Sequence, residues 1–597
     1  MEVDELYILG FDCYGHDSTA ALLRDGELVA MVEEERFVRK KHTMEFPDNA
    51  IRYCLDEAGI SIDDVDHVAY YWDPSLHVAD QLWHIVRYLP RSLALVRSRF
   101  DRNFLPMMRL EATLRKELGL SEHSKVRRIH RVEHHAAHAA SAFLLSPFEE
   151  AAILSIDAVG EWTSTWFGVG EGNTFRKLGE IGFPHSIGML YGSVTEYLGF
   201  HYASDEGKVM GLAPYGDPEV YLAEFRKIVR LKPEGRFSLD LSCFDYHLYG
   251  RGHWVSDKFV RIFGPPRQKG QPLDKRYEDI AAALQRITEE AGLHMAEYLH
   301  KVTGKRNLCI AGGVGLNSVM NGKILQEGSY EGLFIQPAAN DAGTALGAAL
   351  WVQCSLLGLP RPSVMQHAYW GPDFTNEEIE GTLARYNGRL TYRRLEDPAR
   401  AGAELVARGE ILGWFQGRME IGPRALGNRS ILADPRRPDM KDILNARVKH
   451  REPFRPFAPS VLEERTGEYF TVDYPSPFMI LVFDVRPDKR SLVPAITHVD
   501  GTGRVQTVSR QANPRYWALI KEFEDLTGVG LVLNTSFNVM GEPIVCKPEE
   551  AIECFLTTGI DHLIIGDYLV EKMSREESSG KADEYIRSRE PSKPPTQ

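Results

Sequence analysis

Two histidines four residues apart, His134 and His138, are the side chains whose spacing in this chain points most directly to chemistry. On a helix, residues four apart lie on one face, so both imidazoles can bind the same ion. Asp157 follows at the end of the next predicted strand. Two imidazoles with a carboxylate are typical of non-haem iron, with zinc as the alternative metal. Asp341 precedes a helix of small residues, where it can either cap the helix or complete this ligand set.

A segment near the start of the chain recurs after the histidine pair. Residues 8–15 (ILGFDCYG) and 153–160 (ILSIDAVG) are each an apolar strand ending in Asp, with Gly three positions further on. Duplicated glycine turns are typical of actin-like and sugar-kinase-like ATPases, because glycine lets backbone N–H groups approach nucleotide phosphates. The alternative is that two strands end alike by chance. The repeat therefore predicts that a nucleotide-binding site contains Asp12, Gly15 and Gly160.

Further candidates lie in other turns. Residues 308–317 (LCIAGGVGLN) predict a strand, a glycine turn and a helix start, the place where adenosine docks in an actin-like core. Lys208 is a charged residue within the glycine-rich, apolar segment 206–216, so its side chain is more expected to bind a ligand than simply to face solvent. His16 lies in the first turn, where a neutral imidazole suits the removal of a proton from a substrate hydroxyl. The added nucleotide candidates are Lys208, Gly312, Gly313, Asn317 and Asn340.

The C-terminal third contains two basic clusters, residues 422–430 (GPRALGNRS) and 449–459 (KHREPFRPFAP). Pro and Gly stiffen the backbone there, while Arg and Lys supply forked and point-charge donors that suit a small dianion such as phosphate. Residues 533–538 (LNTSFN) end a predicted buried strand with short polar side chains. Together these segments predict a phosphate-binding site with a polar floor.

The elements that position these residues alternate between strand and helix, which indicates an α/β fold. Asp25 and Gly26 predict a hairpin turn, and Pro47 and Gly59 bound a predicted helix. Later elements are predicted as helices over 135–145 and 275–303, strands over 151–157 and 333–337, and a linker over 358–363. We predict an N-terminal domain (1–357), a C-terminal domain (364–573) and a disordered tail (574–597).

The composition is that of a large globular chain of 597 residues, 43% of them hydrophobic, enough for about two to four domains. Its 84 acidic and 70 basic side chains give a net charge of −14, which argues against nucleic acid as a partner. Seven cysteines without a C-x-x-C pair favour a reducing, cytoplasmic location. The most apolar long stretch, residues 342–359, is typical of a buried helix, and the acidic start lacks a signal segment, so no membrane association is expected.

Taken together, the motifs resemble the O-carbamoyltransferases of nodulation and antibiotic tailoring, over nearly the whole chain. The matching segments, in order, are residues 15–18 (GHDS), 133–140 (EHHAAHAA), 208–216 (KVMGLAPYG), 422–429 (GPRALGNR) and 534–538 (NTSFN). The resemblance implies an N-terminal part similar to the tRNA threonylcarbamoyl-transferase core, a duplicated ribonuclease-H-like fold of the actin and sugar-kinase superfamily. It implies a C-terminal part similar to threonylcarbamoyl-adenylate synthase, with an open twisted α/β sheet.

The implied reaction has two stages. Carbamoyl phosphate is cleaved and carbamate is joined to ATP, supplied with Mg²⁺, to give carbamoyl adenylate and pyrophosphate. The carbamoyl group then passes to a hydroxyl of a small molecule, such as an antibiotic or another secondary metabolite, and AMP leaves. By position, the resemblance implies iron, or another divalent ion, on His134, His138, Asp157 and Asp341, with His16 as the base. It also implies contacts from Lys41 to the activated intermediate, and a carbamoyl-phosphate and adenylation site of Arg424, Lys449, Arg455, Arg504, Asn534 and Ser536.

Two other functions stay open at this point. A small-molecule kinase would use two glycine turns but leaves the histidine pair and the C-terminal part unexplained, and a tRNA-modifying transferase conflicts with the acidic balance. Two sites in one chain predict an internal passage for the intermediate, since water hydrolyses it. The acceptor pocket is expected from residues 74–120 or 235–275, where Trp83, Phe237 and Tyr249 either line it or pack in the core. The motifs do not define an oligomeric state.

Overall fold

The computed structural model describes residues 5–93, 110–126, 128–250 and 252–573, which have a mixed α/β fold. The tail predicted at 574–597 lies outside the described residues, as does part of the first predicted acceptor segment. Within the described ranges, none of the helices combines the length and the apolar character needed to span a bilayer.

The N-terminal half contains two five-stranded sheets with the same strand order. In the first, the order is β3-β2-β1-β4-β5, and in the second it is β8-β7-β6-β11-β12. The first strand of each set pairs antiparallel with the second and parallel with the fourth. The strands are β1 (Tyr7–Asp12), β2 (Thr19–Arg24), β3 (Glu27–Glu33), β4 (His67–Tyr70), β5 (Ile129–Arg131), β6 (Glu150–Ile156), β7 (Thr163–Glu171), β8 (Thr174–Gly182), β11 (Asn307–Ala311) and β12 (Gly332–Ile335), with β9 (Val229–Leu231) and β10 (Phe237–Leu239) forming a separate pair. The repeated segments of the sequence therefore become equivalent strands, β1 and β6.

The C-terminal part forms one open sheet of nine strands, in the order β13-β21-β20-β14-β15-β19-β16-β18-β17. Two of its pairings, β14 with β20 and β16 with β18, are parallel, and the others are antiparallel. The strands are β13 (Leu390–Arg394), β14 (Leu412–Phe415), β15 (Arg429–Ala433), β16 (Ala458–Leu462), β17 (Leu481–Asp484), β18 (Thr502–Val508), β19 (Leu531–Ser536), β20 (His562–Ile565) and β21 (Tyr568–Lys572).

The helices pack on these sheets and begin and end near the predicted signals. Asp25 and Gly26 have φ angles of 49° and 93°, as the tight hairpin turn requires. The predicted long helix is confirmed, and the side chain of Asp274 caps it by accepting the backbone N–H of Tyr277. The α-helices are Glu35–Val38, Asp48–Ala58, Val78–Arg87, Leu110–Glu117, His134–Phe143, Ile187–Tyr197, Glu206–Leu212, Leu222–Ile228, Tyr246–Tyr249, Asp257–Phe263, Lys275–Thr303, Ser318–Glu327, Ala342–Leu350, Asn376–Ala384, Pro398–Ala407, Met440–Leu444, Thr466–Tyr469, Pro514–Thr527 and Pro548–Thr557.

The helix Ala342–Leu350 packs between β1 and the helix His134–Phe143 at very short range. A Cβ atom on Gly347 would lie 1.8 Å from the carbonyl oxygen of Ala137, and one on Gly10 would lie 2.0 Å from that of Ala345. Only glycine fits where backbones approach this closely. This packing fixes the start of the helix, and so Asp341, beside the histidine-bearing helix.

Buried charged residues join the two halves of the chain. Oε1 of Glu33 accepts the backbone N–H of Gly422 at 2.6 Å, and Arg36 donates to the carbonyl of Gly422 at 2.8 Å. Arg36 also pairs with Glu35, whose carboxylate accepts the backbone N–H of His42 at 2.8 Å. All three charged side chains belong to buried residues. We call Glu33, Glu35 and Arg36 the interdomain clamp.

The predicted linker, residues 358–363, contains neither helix nor strand, but it is held against the N-terminal half. The guanidinium group of Arg361 donates hydrogen bonds to the carbonyl groups of Phe143, Leu144, Ser146 and Phe148. These are the last residues of the histidine-bearing helix and the turn after it. The linker therefore has a defined path.

Candidate active site

The four predicted metal ligands converge from three segments of the chain. His134 and His138 lie one turn apart on their helix, with Nε2 atoms 3.1 Å from each other. Oδ2 of Asp157, the residue after β6, lies 3.1 and 3.3 Å from these nitrogen atoms. Oδ1 of Asp341 lies 3.8 and 3.7 Å from them. Both imidazoles are fully buried.

These distances fit ligands around one metal ion. Bonds of about 2.0–2.2 Å at angles of about 90–109° place neighbouring ligand atoms about 2.8–3.6 Å apart, and the longer distances to Asp341 correspond to wider angles. Burial lowers the pKa of His134, but the carboxylates of Asp341 and Asp157 outweigh it and raise that pKa to about 9. Burial raises the pKa of Asp157, yet hydrogen bonds with His134 and His138 hold it well below its usual value. The group therefore attracts positive charge and suits a divalent ion.

The sequence allows two roles for Asp341, as a helix cap or as a metal ligand. It occupies the N-cap position of the helix Ala342–Leu350, but its side chain makes no capping hydrogen bond within the part of the chain that the structure describes. Its carboxylate instead faces the two histidines. The capping alternative is therefore wrong, and the position of the carboxylate is compatible with a metal ligand, a role that stays a prediction.

Glycine turns from both repeats surround this ligand group. A Cβ atom on each of three glycines would come within 4 Å of a ligand side chain: Gly160 (2.9 Å from Cδ2 of His134), Gly313 (3.0 Å from Oδ1 of Asp157) and Gly15 (3.8 Å from Oδ2 of Asp341). The structure thus brings these three nucleotide candidates together with the metal candidates. Their roles toward a nucleotide stay predictions.

Asp12, at the end of β1, is the counterpart of Asp157 in the first repeat. It is fully buried, and neither carboxylate oxygen has a hydrogen-bond partner among the described residues. Burial and the negative charges of Asp341 and Asp17 raise the pKa of Asp12 well above its usual value. The carboxyl group of Asp12 thus lies close to Asp341 of the ligand group and has no hydrogen-bond partner among the described residues.

The remaining nucleotide candidates make contacts within the protein. Gly312 has a φ of 86° and approaches the backbone of β6 too closely for a side chain. The side chain of Asn317 caps the helix Ser318–Glu327. Lys208 pairs with Asp205 at 3.1 Å and with Glu452 of the C-terminal part at 3.0 Å. Lys208 therefore lies where the two halves meet, and the nucleotide assignment of these residues stays a prediction.

His16, the predicted base, belongs to a small hydrogen-bonded cluster. Its Nδ1 lies 2.7 Å from Oδ2 of Asp17, and Asn340 donates to the same oxygen. His42 binds the other oxygen of Asp17 through Nδ1, at 2.6 Å. The spacing of residues in the sequence gives no sign of His42, because it lies on a different loop from His16; its only signal is its place beside Lys41 in a basic run.

The basic clusters of the C-terminal part bring several cations close together, and we call this group the cation pocket. The Nε atoms of Arg424 and Arg504 are buried and lack a hydrogen-bond partner among the described residues. Burial, with the charge of Arg455, lowers the pKa of Arg424 to about 10. Burial and the charges of Arg424, Arg451 and Arg455 lower the pKa of Arg504 well below its usual value. Mutually repelling cations with unused donors favour the binding of an anion.

The end of β19 forms the polar floor of this pocket. Lys449 is buried, and its Nζ lies 2.8 Å from Oδ1 of Asn538 and 3.3 Å from Oγ of Ser536. Asn534 donates to the carbonyl of Ala425 at 3.1 Å, which ties the strand to the loop of Arg424. The six residues predicted for the phosphate site therefore come together.

Two more cations reach the same pocket. Burial and Arg455 lower the pKa of Arg451 to about 9, and its guanidinium lies 4.3 Å from the ring centre of Phe457. The run KHRE at 449–452 is the only sequence signal for Arg451, and it does not tell which side chain points inward. Lys41 comes from the N-terminal half. Desolvation lowers its pKa, the charge of Glu35 raises it, and the charge of Arg455 lowers it further. Lys41 therefore lies near Arg455 of the cation pocket, and its contact with the activated intermediate stays a prediction.

A cavity of about 600 Å³ lies between the two segments predicted for the acceptor. Tyr88 and Arg91 line one side, and residues between 238 and 256 line the other. Phe237 is only 3% exposed and packs in the core, whereas the side chain of Trp83 is at the surface. Of the two readings open for Phe237, core packing is correct.

The sequence matches two family models, Carbamoyltransferase N-terminus over residues 7–350 and Carbamoyltransferase C-terminus over residues 403–572. The chain belongs to the carbamoyltransferase family. It is therefore an enzyme that takes a carbamoyl donor and a hydroxyl acceptor, and the resemblance seen in the motifs is confirmed.

Relatives agree with this membership. Nodulation protein NolNO of Sinorhizobium fredii is 41% identical, over 93% of this chain and 79% of its own length. The 3'-hydroxymethylcephem-O-carbamoyltransferase of Amycolatopsis lactamdurans is 34% identical, over 61% of this carbamoyltransferase and 64% of its own length.

Among solved structures, component A of the (R)-2-hydroxyglutaryl-CoA dehydratase of Acidaminococcus fermentans covers 58% of this chain and 97% of its own, at 15% identity and a TM-score of 0.30.

Proposed function

We propose that the protein is an ATP-dependent O-carbamoyltransferase that works in two stages. In the first, carbamoyl phosphate, water and ATP with Mg²⁺ give carbamoyl adenylate, pyrophosphate and inorganic phosphate. In the second, the carbamoyl group passes to a hydroxyl of a small molecule, such as an antibiotic or another secondary metabolite, and AMP is released. The observation that carries the proposal is the presence of two chemically different sites in one chain. One is a cluster of cations in which two arginine Nε atoms have no partner among the described residues, and the other is a group of four residues that could hold a metal ion.

The cation pocket supports the first stage. Carbamoyl phosphate presents a small dianion, which relieves the repulsion among Arg424, Arg455 and Arg504. It can also accept hydrogen bonds from the Nε atoms of Arg424 and Arg504, which have no partner among the described residues. Lys449 is held by the end of β19 and adds a buried positive charge. Donors fixed in advance stabilise charge that develops as phosphate leaves. The positive charge of Arg451 also acts on Arg504 and so adds to the attraction for an anion.

The ligand group supports the second stage. His134, His138, Asp157 and Asp341 would hold Fe²⁺ or another divalent ion, which when bound supplies Lewis-acid polarisation of a carbonyl group. Residues of the chain supply proton transfer, space for the intermediate and protection from water. His16 takes the proton of the acceptor hydroxyl, the glycine turns leave room for the adenylate, and the buried surroundings of the histidines exclude water.

The fold supports a finer assignment of the two parts. Identical strand orders in the two N-terminal sheets support a duplicated ribonuclease-H-like core of the actin and sugar-kinase type for residues 1–357. The open nine-stranded sheet supports an adenylation unit similar to threonylcarbamoyl-adenylate synthase for residues 364–573. The seven cysteines are all free and buried, which supports a cytoplasmic location.

Product analysis tests the proposal. The protein, supplied with Fe²⁺, is incubated with ATP, Mg²⁺, carbamoyl phosphate and a panel of alcohols. We expect pyrophosphate and AMP, with one acceptor gaining the mass of a carbamoyl group. ADP with a phosphorylated alcohol would identify a kinase, and turnover that requires tRNA would identify a tRNA-modifying transferase; either result would overturn the proposal.

A further inference from the structure

His42 is the most informative side chain near the active site that has no role so far. Its Nδ1 and that of His16 bind the two oxygens of one carboxylate, Asp17, at 2.6 and 2.7 Å. The two imidazoles are stacked, with ring centroids 4.9 Å apart and an angle of 27° between the planes. Asp17 is only 5% exposed. One buried carboxylate thus holds two histidines side by side.

The distances in this cluster are those of hydrogen bonds. Neighbouring ligand atoms on one metal ion lie about 2.8–3.6 Å apart when the bonds are about 2.0–2.2 Å long. The contacts of Asp17 are shorter and match charge-assisted hydrogen bonds. Burial opposes a charge on Asp17, but His16 and His42 outweigh it and lower its pKa. Because a carboxylate only accepts, we assign the Nδ1–H tautomer to His16, which leaves Nε2 as the basic atom.

The loop that carries His42 is built against the loop that carries Asp17. The backbone N–H of Ser18 donates to the carbonyl of Thr43 at 3.0 Å. The backbone N–H of His42 donates to Glu35 of the interdomain clamp at 2.8 Å. Asp17 and His42 both have left-handed backbones, with φ angles of 58° and 53°. Such conformations in non-glycine residues persist where the surroundings maintain them, often at functional sites.

We propose that His42 is a positioning residue for carbamoyl transfer: its Nδ1–H fixes the carboxylate of Asp17, and Asp17 fixes the tautomer and the ring orientation of His16. This inference rests on the proposed function, in which His16 is the base. His42 acts through Asp17 and takes no proton itself. Removing it leaves the base present but free to turn away from the acceptor hydroxyl.

Three substitutions of His42 separate this role from others. Asn carries an amide N–H near the position of Nδ1, Gln carries one near the position of Nε2, and Ala carries neither. We expect His42→Ala and His42→Gln to lower the kcat of transfer about 10–100-fold, and His42→Asn to stay within about threefold of the parent, by analogy with other orienting residues. The KM for the acceptor changes little, since His42 does not bind it.

A double substitution tests the route through the carboxylate. Asp17→Asn alone is expected to lower kcat by about 10²–10⁴, the usual range for loss of a working general base. Adding His42→Ala to Asp17→Asn then causes no further loss, because both changes break one chain of contacts. Multiplicative losses, or equal losses from the Asn, Gln and Ala variants of His42, would show an independent function for His42 and overturn the inference.

Pyrophosphate release from carbamoyl phosphate and ATP, and the metal content of the full chain, serve as controls. Both are expected to stay unchanged in the His42 variants, and His123→Ala, at an exposed position, is the matched surface control. Loss of one metal ion per chain in His42→Ala would identify a metal site here and also overturn the inference. Failure of the unsubstituted protein to release pyrophosphate would contradict the proposed function itself, and this outcome is separate from any pattern among the His42 variants.

Discussion

Arg424→Met is predicted to stabilise the ligand-free protein and to abolish carbamoyl-adenylate formation. The Nε of Arg424 is buried without a hydrogen-bond partner among the described residues, and Arg455 and Arg504 are close enough for their charges to repel it. Methionine has a similar length, fills the same space and carries no charge. The substitution therefore removes an unfavourable charge and the predicted phosphate contact in one step.

The lowered pKa of Arg424 sets the size of the effect on stability. Burial and Arg455 lower this pKa to about 10, and at about 1.4 kcal/mol per pKa unit the difference from the usual value corresponds to about 3 kcal/mol. For a base whose pKa is depressed by folding, the protonated form destabilises the folded state at every pH below about 10. Because solvent reaches part of the side chain, we expect Arg424→Met to raise the free energy of unfolding at neutral pH by about 1–3 kcal/mol.

Thermal unfolding with and without carbamoyl phosphate measures this balance. Without ligand, the variant is expected to melt above the parent protein. Carbamoyl phosphate at about 100 times its Kd adds about 2.7 kcal/mol to the parent and almost nothing to the variant. Arg437→Met, at an exposed ion pair with Asp439, is the matched control and should change neither melting nor pyrophosphate release. A variant that melts below the parent without ligand, or that still releases pyrophosphate, would refute the reasoning.

Three further predictions separate the two sites. His138→Ala is expected to lower the bound metal and abolish transfer while pyrophosphate release continues; equal loss of both activities would contradict the two-site assignment. Arg455→Ala is expected to stop pyrophosphate release but to leave transfer from added carbamoyl adenylate, and unchanged adenylate formation would remove Arg455 from the donor site. An excess of hydroxylamine during turnover is expected to trap little carbamoyl adenylate, because the intermediate passes inside the protein; capture of most of it would refute an internal passage.

The duplicated core was predictable because its signal is local. Residues 8–15 and 153–160 each carry an apolar run, an Asp and a Gly, and those features alone produce a buried strand followed by a tight turn. The histidine pair was predictable for the same reason, since helical geometry relates residues four apart. The helix that carries the pair begins at His134, one residue before the predicted start, and ends at Phe143.

Contacts between distant segments were not predictable in this way. The choice between cap and ligand for Asp341 depends on its distance from the histidines, which the close packing at Gly347 sets across more than 200 residues of sequence separation. His42 and Arg451 have no sequence signal beyond their places in basic runs, because the direction in which a loop side chain turns decides whether it reaches its site. Sequence patterns identify residue types suited to chemistry, and tertiary packing decides which of them meet.

The interdomain clamp has a consequence for how such chains can be recombined. Glu33 and Arg36 satisfy both backbone polar groups of Gly422, two residues before Arg424. A C-terminal half taken from a relative keeps these contacts only if its loop brings a backbone N–H and a carbonyl to the same place. Otherwise two hydrogen bonds are lost, at a cost of about 0.5–1.5 kcal/mol each, while Glu33 and Arg36 still pair with each other. A chimera is therefore expected to be most stable when residues 33–36 and 422–424 come from the same parent.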